Sequence, residues 1–246
     1  MNRFYIDRSQ VSETVITILG DDVNHIKNVL RMKIGEPILL CDSCGTDYHC
    51  RIKSYEGQTV EATIESVTET DTELKTNIYL FQGLPKKDKM ELIVQKAVEL
   101  GVTEVIPVMM KRTIVKLEDK KKELKKIERW QSIATSAAKQ SNRGIIPKVC
   151  EVLTYKEALK KAKEMDVVIL PYENENGMGN TREVIKSIRG KKSVGIFIGP
   201  EGGFEESEIE MARELGMKPI TLGNRILRTE TAGLAILSIL MFELED

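Results

Sequence analysis

The feature that most constrains this chain is a regular alternation of short apolar segments and longer amphipathic segments after residue 72. The apolar segments predict strands, and the amphipathic ones predict helices. Strands and helices that alternate in this way form a mostly parallel α/β sheet, because each helix returns the chain to the start of the next strand. The predicted strands are 77–81, 104–108, 167–170, 194–198 and 220–222, and the predicted helices are 87–100, 120–141, 181–188, 205–215 and 229–243.

Residues 1–72 have a different pattern, in which short apolar runs are separated by turn residues. Val15 to Leu19, Ile38 to Leu40 and Val60 to Val67 are such runs, and together they predict a small β-rich unit with one helix at about 22–32. A polar stretch at 69–73 follows this unit. We therefore expect two domains, 1–72 and 73–246.

The composition is that of a globular protein, with 41% hydrophobic and 30% charged residues. The amino terminus has no apolar signal core, and no stretch reaches the roughly 20 apolar residues of a membrane span. We expect a cytoplasmic protein with no membrane partner.

Cys41 and Cys44 have the spacing of half a zinc site or of a redox pair. A zinc site needs a second ligand pair, and the chain has no second pair at suitable spacing. The residues between the two cysteines are typical of a turn and not of a helix start. We therefore expect incidental free thiols and no bound metal.

The charges are unevenly distributed, although the totals of 37 Lys plus Arg and 38 Asp plus Glu nearly cancel. Residues 75–150 carry 17 basic and 8 acidic side chains, whereas the flanking parts are both acidic. Lys86, Lys87 and Lys89 lie at the start of a predicted helix, where the helix dipole disfavours cations, so an anion is expected there. Arg112 and Arg143 belong to the same basic segment. The alternative for many of these residues, especially 120–126, is a solvated helix face.

A loop rich in glycine, Gly199-Pro200-Glu201-Gly202-Gly203-Phe204, follows the apolar strand 194–198 and precedes a helix. Glycines allow a ligand to approach the backbone. The loop has no phosphate-binding fingerprint and carries Glu201 instead, so it suits a ligand with hydroxyl groups or a positive charge. The alternative is a tight turn between a strand and a helix.

A second loop connects Leu222-Gly223 to a helix that is apolar on almost every face. Such a helix lies in a core or at a subunit interface. Arg228 and Glu230 stand at its entrance, where unpaired charges are expensive. Either they form a structural ion pair or they have a catalytic role, and the sequence pattern is compatible with both interpretations.

At these residues the chain resembles the RsmE family, the 16S ribosomal RNA (uracil, ring nitrogen 3) methyltransferases of the SPOUT superfamily. The resemblance covers nearly the whole length, and its most specific parts are the two loops just described. The other matching segments are 25–31 with Gly35, 89–102, Arg129-Trp130, and 138–143 with Pro147.

The resemblance implies a PUA-like β-barrel followed by an α/β methyltransferase domain with a parallel sheet and a SPOUT-type trefoil knot. It also implies S-adenosylmethionine as the cofactor, bound in the knot, and a homodimer formed through the knot. The residues it assigns to the cofactor pocket are Leu170, Pro171, Ile198, Gly199, Pro200, Glu201, Gly202, Gly203, Leu222, Gly223, Ile226, Leu227, Arg228, Thr229 and Ala232.

Methylation of the uridine imide nitrogen requires loss of its proton and stabilisation of the resulting anion. We assign Arg228 to stabilise this anion. Glu230 is expected either to accept the proton or to orient Arg228, and we favour the second role because a carboxylate beside a cation is a poor base.

The resemblance further implies 16S ribosomal RNA, within the small ribosomal subunit, as the partner. Arg3, His25 and Arg31 are candidate RNA contacts in the amino-terminal unit, in addition to the basic residues named above. Two alternatives are retained: another SPOUT activity such as methylation of a ribose 2′-hydroxyl, and a non-catalytic RNA-binding factor in ribosome assembly.

Overall fold

The computed structural model describes residues 1–115, 120–175 and 177–245. These residues fall into two compact units. The first contains Met1–Glu73 and Ala138–Ile146, and the second contains Leu74–Ala137 and the chain from Pro147 onward.

The amino-terminal unit is built on a five-stranded sheet in the order β1-β3-β4-β5-β2. Its strands are β1 (Asn2–Tyr5), β2 (Val15–Ile18), β3 (Pro37–Cys41), β4 (Thr46–Glu56) and β5 (Thr59–Glu69). β1 pairs with β3 in parallel, and the other pairs are antiparallel. Apolar residues at alternate positions, such as Ile16 and Ile18 or Ile38 and Leu40, are buried and form the core.

The helix predicted over 22–32 is shorter in the structure. Helix α1 covers Asp21–Asn24, and one π-helical turn continues it over His25–Val29. Arg31 has a φ of 52°, in the left-handed region, so the helix cannot extend through it.

Residues 138–146 belong to the amino-terminal unit although they lie far along the sequence. The Tyr5 hydroxyl donates to the carbonyl oxygens of Ala138 and Arg143 at 3.1 and 2.7 Å. The Glu73 carboxylate accepts from the Gly144 N–H at 2.8 Å and from the Arg143 guanidinium at 2.5 Å. These contacts connect the segment firmly to both ends of the first 73 residues.

Cys41 and Cys44 flank the turn between β3 and β4, as the sequence predicts, and both are free thiols. Within the described ranges, no group of three or more His, Cys, Asp and Glu side chains could hold a metal ion.

The second unit contains a seven-stranded sheet among the described residues, with every pair parallel. The strand order is β12-β10-β11-β6-β7-β8, and β9 also pairs with β7. The strands are β6 (Asn77–Gly83), β7 (Glu104–Met109), β8 (Lys148–Val149), β9 (Leu153–Thr154), β10 (Val167–Pro171), β11 (Ser193–Ile198) and β12 (Lys218–Ile220). The alternating pattern therefore predicted the parallel α/β sheet correctly.

The helices of this unit are α2 (Lys89–Glu99), α3 (Lys120–Gln140, whose last turn enters the first unit), α4 (Tyr155–Ala162), α5 (Met178–Lys186), α6 (Glu206–Glu214) and α7 (Thr229–Leu244). Helix α4 was not predicted. None of the helices in the described part of the chain is long and apolar enough to cross a membrane.

Two aromatic rings form the centre of the core between the sheet and its helices. Phe81 of β6 stacks on Phe197 of β11 with ring centroids 4.4 Å apart, and Tyr155 of α4 packs edge-on against Phe197. β6 and β11 are adjacent central strands, and their inward side chains are completely buried. This packing fixes the strand ends from which the functional loops emerge.

Candidate functional site

A cavity of about 340 Å³ lies at the carboxyl ends of β10, β11 and β12, three neighbouring strands of the parallel sheet. Ligands of open α/β sheets bind at this end, close to the point where the strand order reverses. The cavity is lined by Lys89, Pro171, Tyr172, Glu173, Ile198, Gly199, Pro200, Glu201, Gly203, Phe204, Thr221, Leu222, Gly223, Arg225, Ile226, Leu227, Arg228, Thr229 and Ala232.

The loop after β11 turns so sharply that it requires glycine. A Cβ atom on Gly199 would lie 3.1 Å from the carbonyl carbon of Gly203, which is backbone and cannot move aside. Gly203 has a φ of 69°, and its N–H donates to the Pro200 carbonyl at 2.9 Å. The glycines thus serve the turn itself, and they also leave the backbone of this loop open to the cavity.

A chain of buried hydrogen bonds connects this loop to α7. The side-chain amide of Gln82, at the end of β6, donates to the Thr229 hydroxyl at 2.9 Å. That hydroxyl donates in turn to the Gly199 carbonyl at 2.6 Å. All of these groups are buried, so the start of α7 is held against the ends of β6 and β11.

Lys89, the first residue of α2, lies between two carboxylates. Its Nζ is 3.3 Å from Glu201 Oε1 and 3.1 Å from Glu230 Oε2. Glu201 Oε1 also accepts from the Lys86 backbone N–H at 3.0 Å. The pKa of Lys89 is raised, mainly because of its contact with Glu230, and burial opposes this only in part.

Arg228 is the N-cap residue of α7, and its side chain is exposed. Within the part of the chain that the structure describes, no ion pair or side-chain hydrogen bond holds the Arg228 guanidinium. The pairing of Glu230 with Lys89 means that the expected Arg228–Glu230 contact does not form. Ile226, two residues earlier, is 83% exposed at the mouth of the cavity.

The structure brings most of the predicted pocket residues together, with two exceptions. Leu170 is fully buried in the core and does not line the cavity. Gly202 faces away, because the Arg112 side chain packs against it and donates to its carbonyl oxygen at 2.8 Å. Six lining residues were not predicted for the pocket: Lys89, which was predicted as an RNA contact, and Tyr172, Glu173, Phe204, Thr221 and Arg225. Tyr172 and Thr221 immediately follow β10 and β12, so their positions after strands were a usable signal.

The strand predicted at 220–222 ends earlier, at Ile220. Thr221 and Leu222 leave the sheet and line the cavity, and the Thr221 hydroxyl accepts from the Gly223 N–H at 3.2 Å. The shorter strand therefore creates part of the site.

Two candidate RNA contacts are not available on the surface. The Arg143 side chain is 4% exposed and paired with Glu73, and the Arg3 side chain is 9% exposed and 2.8 Å from Asp47. Both arginines stabilise the amino-terminal unit, so their assignment to RNA is corrected. Lys89 lines the cavity, and its assignment as an RNA contact stays a prediction.

The remaining candidates are exposed: His25, Arg31, Lys86, Lys87 and Arg112. Arg112 also pairs with Glu205 at 2.8 Å.

Comparison with known families identifies the class of protein that has this fold and cavity. The family described as "RNA methyltransferase domain" matches residues 72–241, and the family described as "RNA methyltransferase PUA domain" matches residues 18–65. The chain is an RNA methyltransferase.

Individual relatives narrow the assignment. Ribosomal RNA small subunit methyltransferase E of Bacillus subtilis is 37% identical over all of this chain and 98% of its own length. The enzyme of the same name from Mesomycoplasma hyopneumoniae is 34% identical over 97% of this chain and 98% of its own. This chain belongs to the ribosomal RNA small subunit methyltransferase E family, which confirms the resemblance found in the sequence.

A solved structure agrees with this assignment. The crystal structure of ribosomal RNA small subunit methyltransferase E from Neisseria gonorrhoeae, bound to S-adenosylmethionine, is 36% identical with a TM-score of 0.77. The match covers 96% of this chain and 95% of that one.

Proposed function

We propose that this chain transfers a methyl group from S-adenosylmethionine to ring nitrogen 3 of a uridine in 16S ribosomal RNA, within the small ribosomal subunit. The observation that carries the proposal is the cavity formed by the three strand-end loops, in a chain that belongs to this methyltransferase family. In the reaction the sulfonium loses its methyl group and becomes a thioether, and the imide nitrogen loses a proton and gains the methyl.

The cavity fits this cofactor in size and in chemistry. Its volume lies within the roughly 300–1,000 Å³ of small-molecule sites. Backbone groups of the glycine loop can receive an adenosine, and Glu201 provides negative charge toward a sulfonium. When bound, the cofactor would supply an electrophilic methyl group. The residues that would hold it are Pro171, Ile198, Gly199, Pro200, Glu201, Gly203, Leu222, Gly223, Ile226, Leu227, Arg228, Thr229 and Ala232.

Arg228 is the cation that would stabilise the uridine anion. It is exposed at the mouth of the cavity and is not engaged by a carboxylate among the described residues, so its guanidinium can donate to the carbonyl oxygens of a uracil ring. These oxygens carry the negative charge once the imide proton leaves. A donor held where charge develops lowers the barrier of the transfer.

We assign Glu230 the role of positioning Lys89. Its carboxylate faces Lys89 and not Arg228, and its side chain is only 15% exposed. The contact with Lys89 directs this carboxylate away from the substrate. The imide proton therefore passes to water at the open mouth of the cavity.

We further propose the family's domain architecture for this chain, with a barrel over 1–72 and a methyltransferase domain over 73–246. Closure of the five-stranded sheet is supported by register shifts between β4 and β5 at His49/Cys50 and Ile52/Ser54, since irregularities of this kind bend strands. The trefoil knot is supported by the return of α7 to the loop after β11, through Thr229 and Gly199.

A homodimer through the knot region is supported by apolar side chains on α2 and α7. Leu92 and Ile239 are each 44% exposed, and Phe242 is 82% exposed. α2 and α7 pack together, so their outer faces are neighbours. Exposed apolar groups of this size on neighbouring helices are typical of a subunit interface.

The RNA would be bound by exposed cations on each unit. Lys86, Lys87 and Arg112 are exposed on the methyltransferase unit, and His25 and Arg31 are exposed on the amino-terminal unit. Such cations contact phosphate groups and contribute affinity that decreases with salt.

The experiment is methyl transfer from labelled S-adenosylmethionine to small subunits and, in parallel, to naked 16S RNA, followed by digestion to nucleosides. We expect 3-methyluridine, with greater incorporation into small subunits. A 2′-O-methylated nucleoside would overturn the proposal in favour of another SPOUT activity. Absence of cofactor binding by calorimetry would favour the non-catalytic assembly factor.

A further inference from the structure

Three charged side chains from three separate elements meet beside the cavity: Lys89 and Glu201 line it, and Glu230 contacts Lys89 without lining it. Lys89 begins α2, Glu201 lies in the loop after β11, and Glu230 lies in the first turn of α7. Their side chains are 29%, 26% and 15% exposed, and both carboxylates lie within 3.3 Å of the lysine Nζ. We call these three residues the ion triad.

The ion triad carries one more negative charge than positive charge. The pKa of Lys89 is raised, chiefly by Glu230, so the ammonium is retained at neutral pH. Burial alone would raise the pKa of Glu201, but hydrogen bonds from its own N–H and that of Lys86, together with Lys89, lower it. Glu230 Oε2 is shielded from solvent and forms no hydrogen bond of good geometry, so Lys89 compensates it only by ionic contact.

The other charged residues that line the cavity, Glu173, Arg225 and Arg228, are exposed. Water and salt screen exposed charges strongly, whereas partly buried charges are screened less. The electrostatic preference of the cavity beside Lys89 and Glu201 therefore depends mainly on the ion triad.

We propose that the ion triad makes the cavity discriminate between the positively charged sulfonium cofactor and its neutral thioether product. This inference rests on the proposed function, because methyl transfer converts S-adenosylmethionine into S-adenosylhomocysteine and removes one positive charge. The sulfonium neutralises the excess charge of the ion triad, and the thioether does not. The same residues that hold the loops together thus favour entry of the cofactor and departure of the product.

The test is calorimetric titration of the full chain with each of the two ligands, which differ only by the methyl group and its charge. The quantity compared between wild type and each variant is the ratio of the Kd for S-adenosylhomocysteine to the Kd for S-adenosylmethionine. Lys89→Met makes the ion triad more negative and is expected to raise this ratio by about three- to tenfold, and Glu201→Gln or Glu230→Gln should lower it by a similar factor. Opposite shifts from the two kinds of substitution are the signature of charge discrimination.

Two control variants separate charge from shape. Lys89→Arg keeps the charge and should leave the ratio within about twofold of wild type. Lys86→Met removes an exposed ammonium but keeps the backbone N–H that binds Glu201, and it should also leave the ratio unchanged.

Equal changes in both Kd values in every triad variant, with a constant ratio, would overturn the inference and leave the ion triad a structural feature. If Lys89→Met does not fold, the two Glu→Gln variants decide, because they are nearly isosteric. Failure of the wild-type chain to bind either ligand would instead overturn the proposed function on which the inference rests.

Discussion

The Thr229 hydroxyl donates a hydrogen bond to the Gly199 carbonyl oxygen over 2.6 Å, and it accepts another from the Gln82 amide. One side chain thereby connects the first residue of α7, the loop after β11 and the end of β6. All three groups are buried, so water cannot replace either partner of Thr229.

Thr229→Val should destabilise the protein, because it keeps the shape of the side chain but leaves a buried carbonyl and a buried amide N–H unpaired. We expect the free energy of unfolding to fall by about 1–3 kcal/mol. Urea denaturation measures this loss. Thr229→Ser retains the hydroxyl and is the control, with a smaller loss. Equal stability of the valine variant and wild type would show that the hydrogen-bond chain does not stabilise the site.

Gly83→Ala should disturb the cavity through the backbone of the glycine loop. A Cβ atom on Gly83 would lie 2.7 Å from both Cδ and N of Pro200, so the loop would have to shift. We expect the free energy of unfolding to fall by about 1–3 kcal/mol, with weaker cofactor binding in calorimetry.

The matched control is Gly179→Ala in α5, where an added Cβ atom has no neighbour within 4 Å. Alanine is the better helix former, so this variant should be as stable as wild type or up to about 1 kcal/mol more stable. Equal behaviour of the two alanine variants would contradict the steric argument.

Asp42 should make stability depend on pH at the acidic end. Its buried carboxylate accepts from Arg8 Nε at 2.7 Å and from the N–H groups of Cys44 and Thr46 at 2.8 and 3.0 Å. Burial alone would raise the pKa of Asp42, but these hydrogen bonds outweigh it and lower the pKa. The stabilisation is therefore present above the unfolded pKa of about 3.9 and is lost as the pH falls through the lower pKa of the folded state.

Asp42→Asn should accordingly lower the free energy of unfolding by about 1–3 kcal/mol at pH 7. The loss should become progressively smaller below pH 4. Urea denaturation of both proteins at several pH values measures the difference. Glu13→Gln, at an exposed position, is the control and should change the free energy of unfolding by less than about 0.5 kcal/mol. A cost of Asp42→Asn that does not change with pH would argue that the carboxylate charge is not what stabilises the turn.

The sequence predicted the parallel sheet because apolar strand segments alternate with amphipathic helical segments, a pattern that is visible along the chain. It did not predict β1, since the pairing of Asn2–Tyr5 with Pro37–Cys41 is between distant segments. Helix α4 could have been found: Thr154 and Glu157 form a capping box, and Tyr155, Ala158, Leu159 and Ala162 have helical spacing.

In the site, too, the features that lie close together in the sequence were predicted, and the pairings between distant residues were not. The cations at the start of α2 indicated a bound anion, and the structure supplies it from within the chain, as the carboxylates of Glu201 and Glu230. Both are more than 100 residues from Lys89, so only the fold reveals the pairing. Arg143 was assigned to RNA because it belongs to the basic segment. Its partner Glu73 is 70 residues away, so the sequence pattern did not reveal their ion pair.

Arg228→Ala should remove methyl transfer while it preserves the fold, because Arg228 is exposed and is not held by a carboxylate among the described residues. We expect the single-turnover rate at saturating cofactor to fall by about 10²–10³-fold, the usual effect of losing one donor to a developing oxyanion. Arg225→Ala removes a neighbouring exposed arginine of the cavity and should lower the rate less than about tenfold.

Glu230→Gln should reduce the rate of methyl transfer moderately, since it disturbs Lys89 and not the uridine. Near wild-type rates in both Arg228→Ala and Glu230→Gln would contradict the assignment of Arg228 and Glu230 to the reaction.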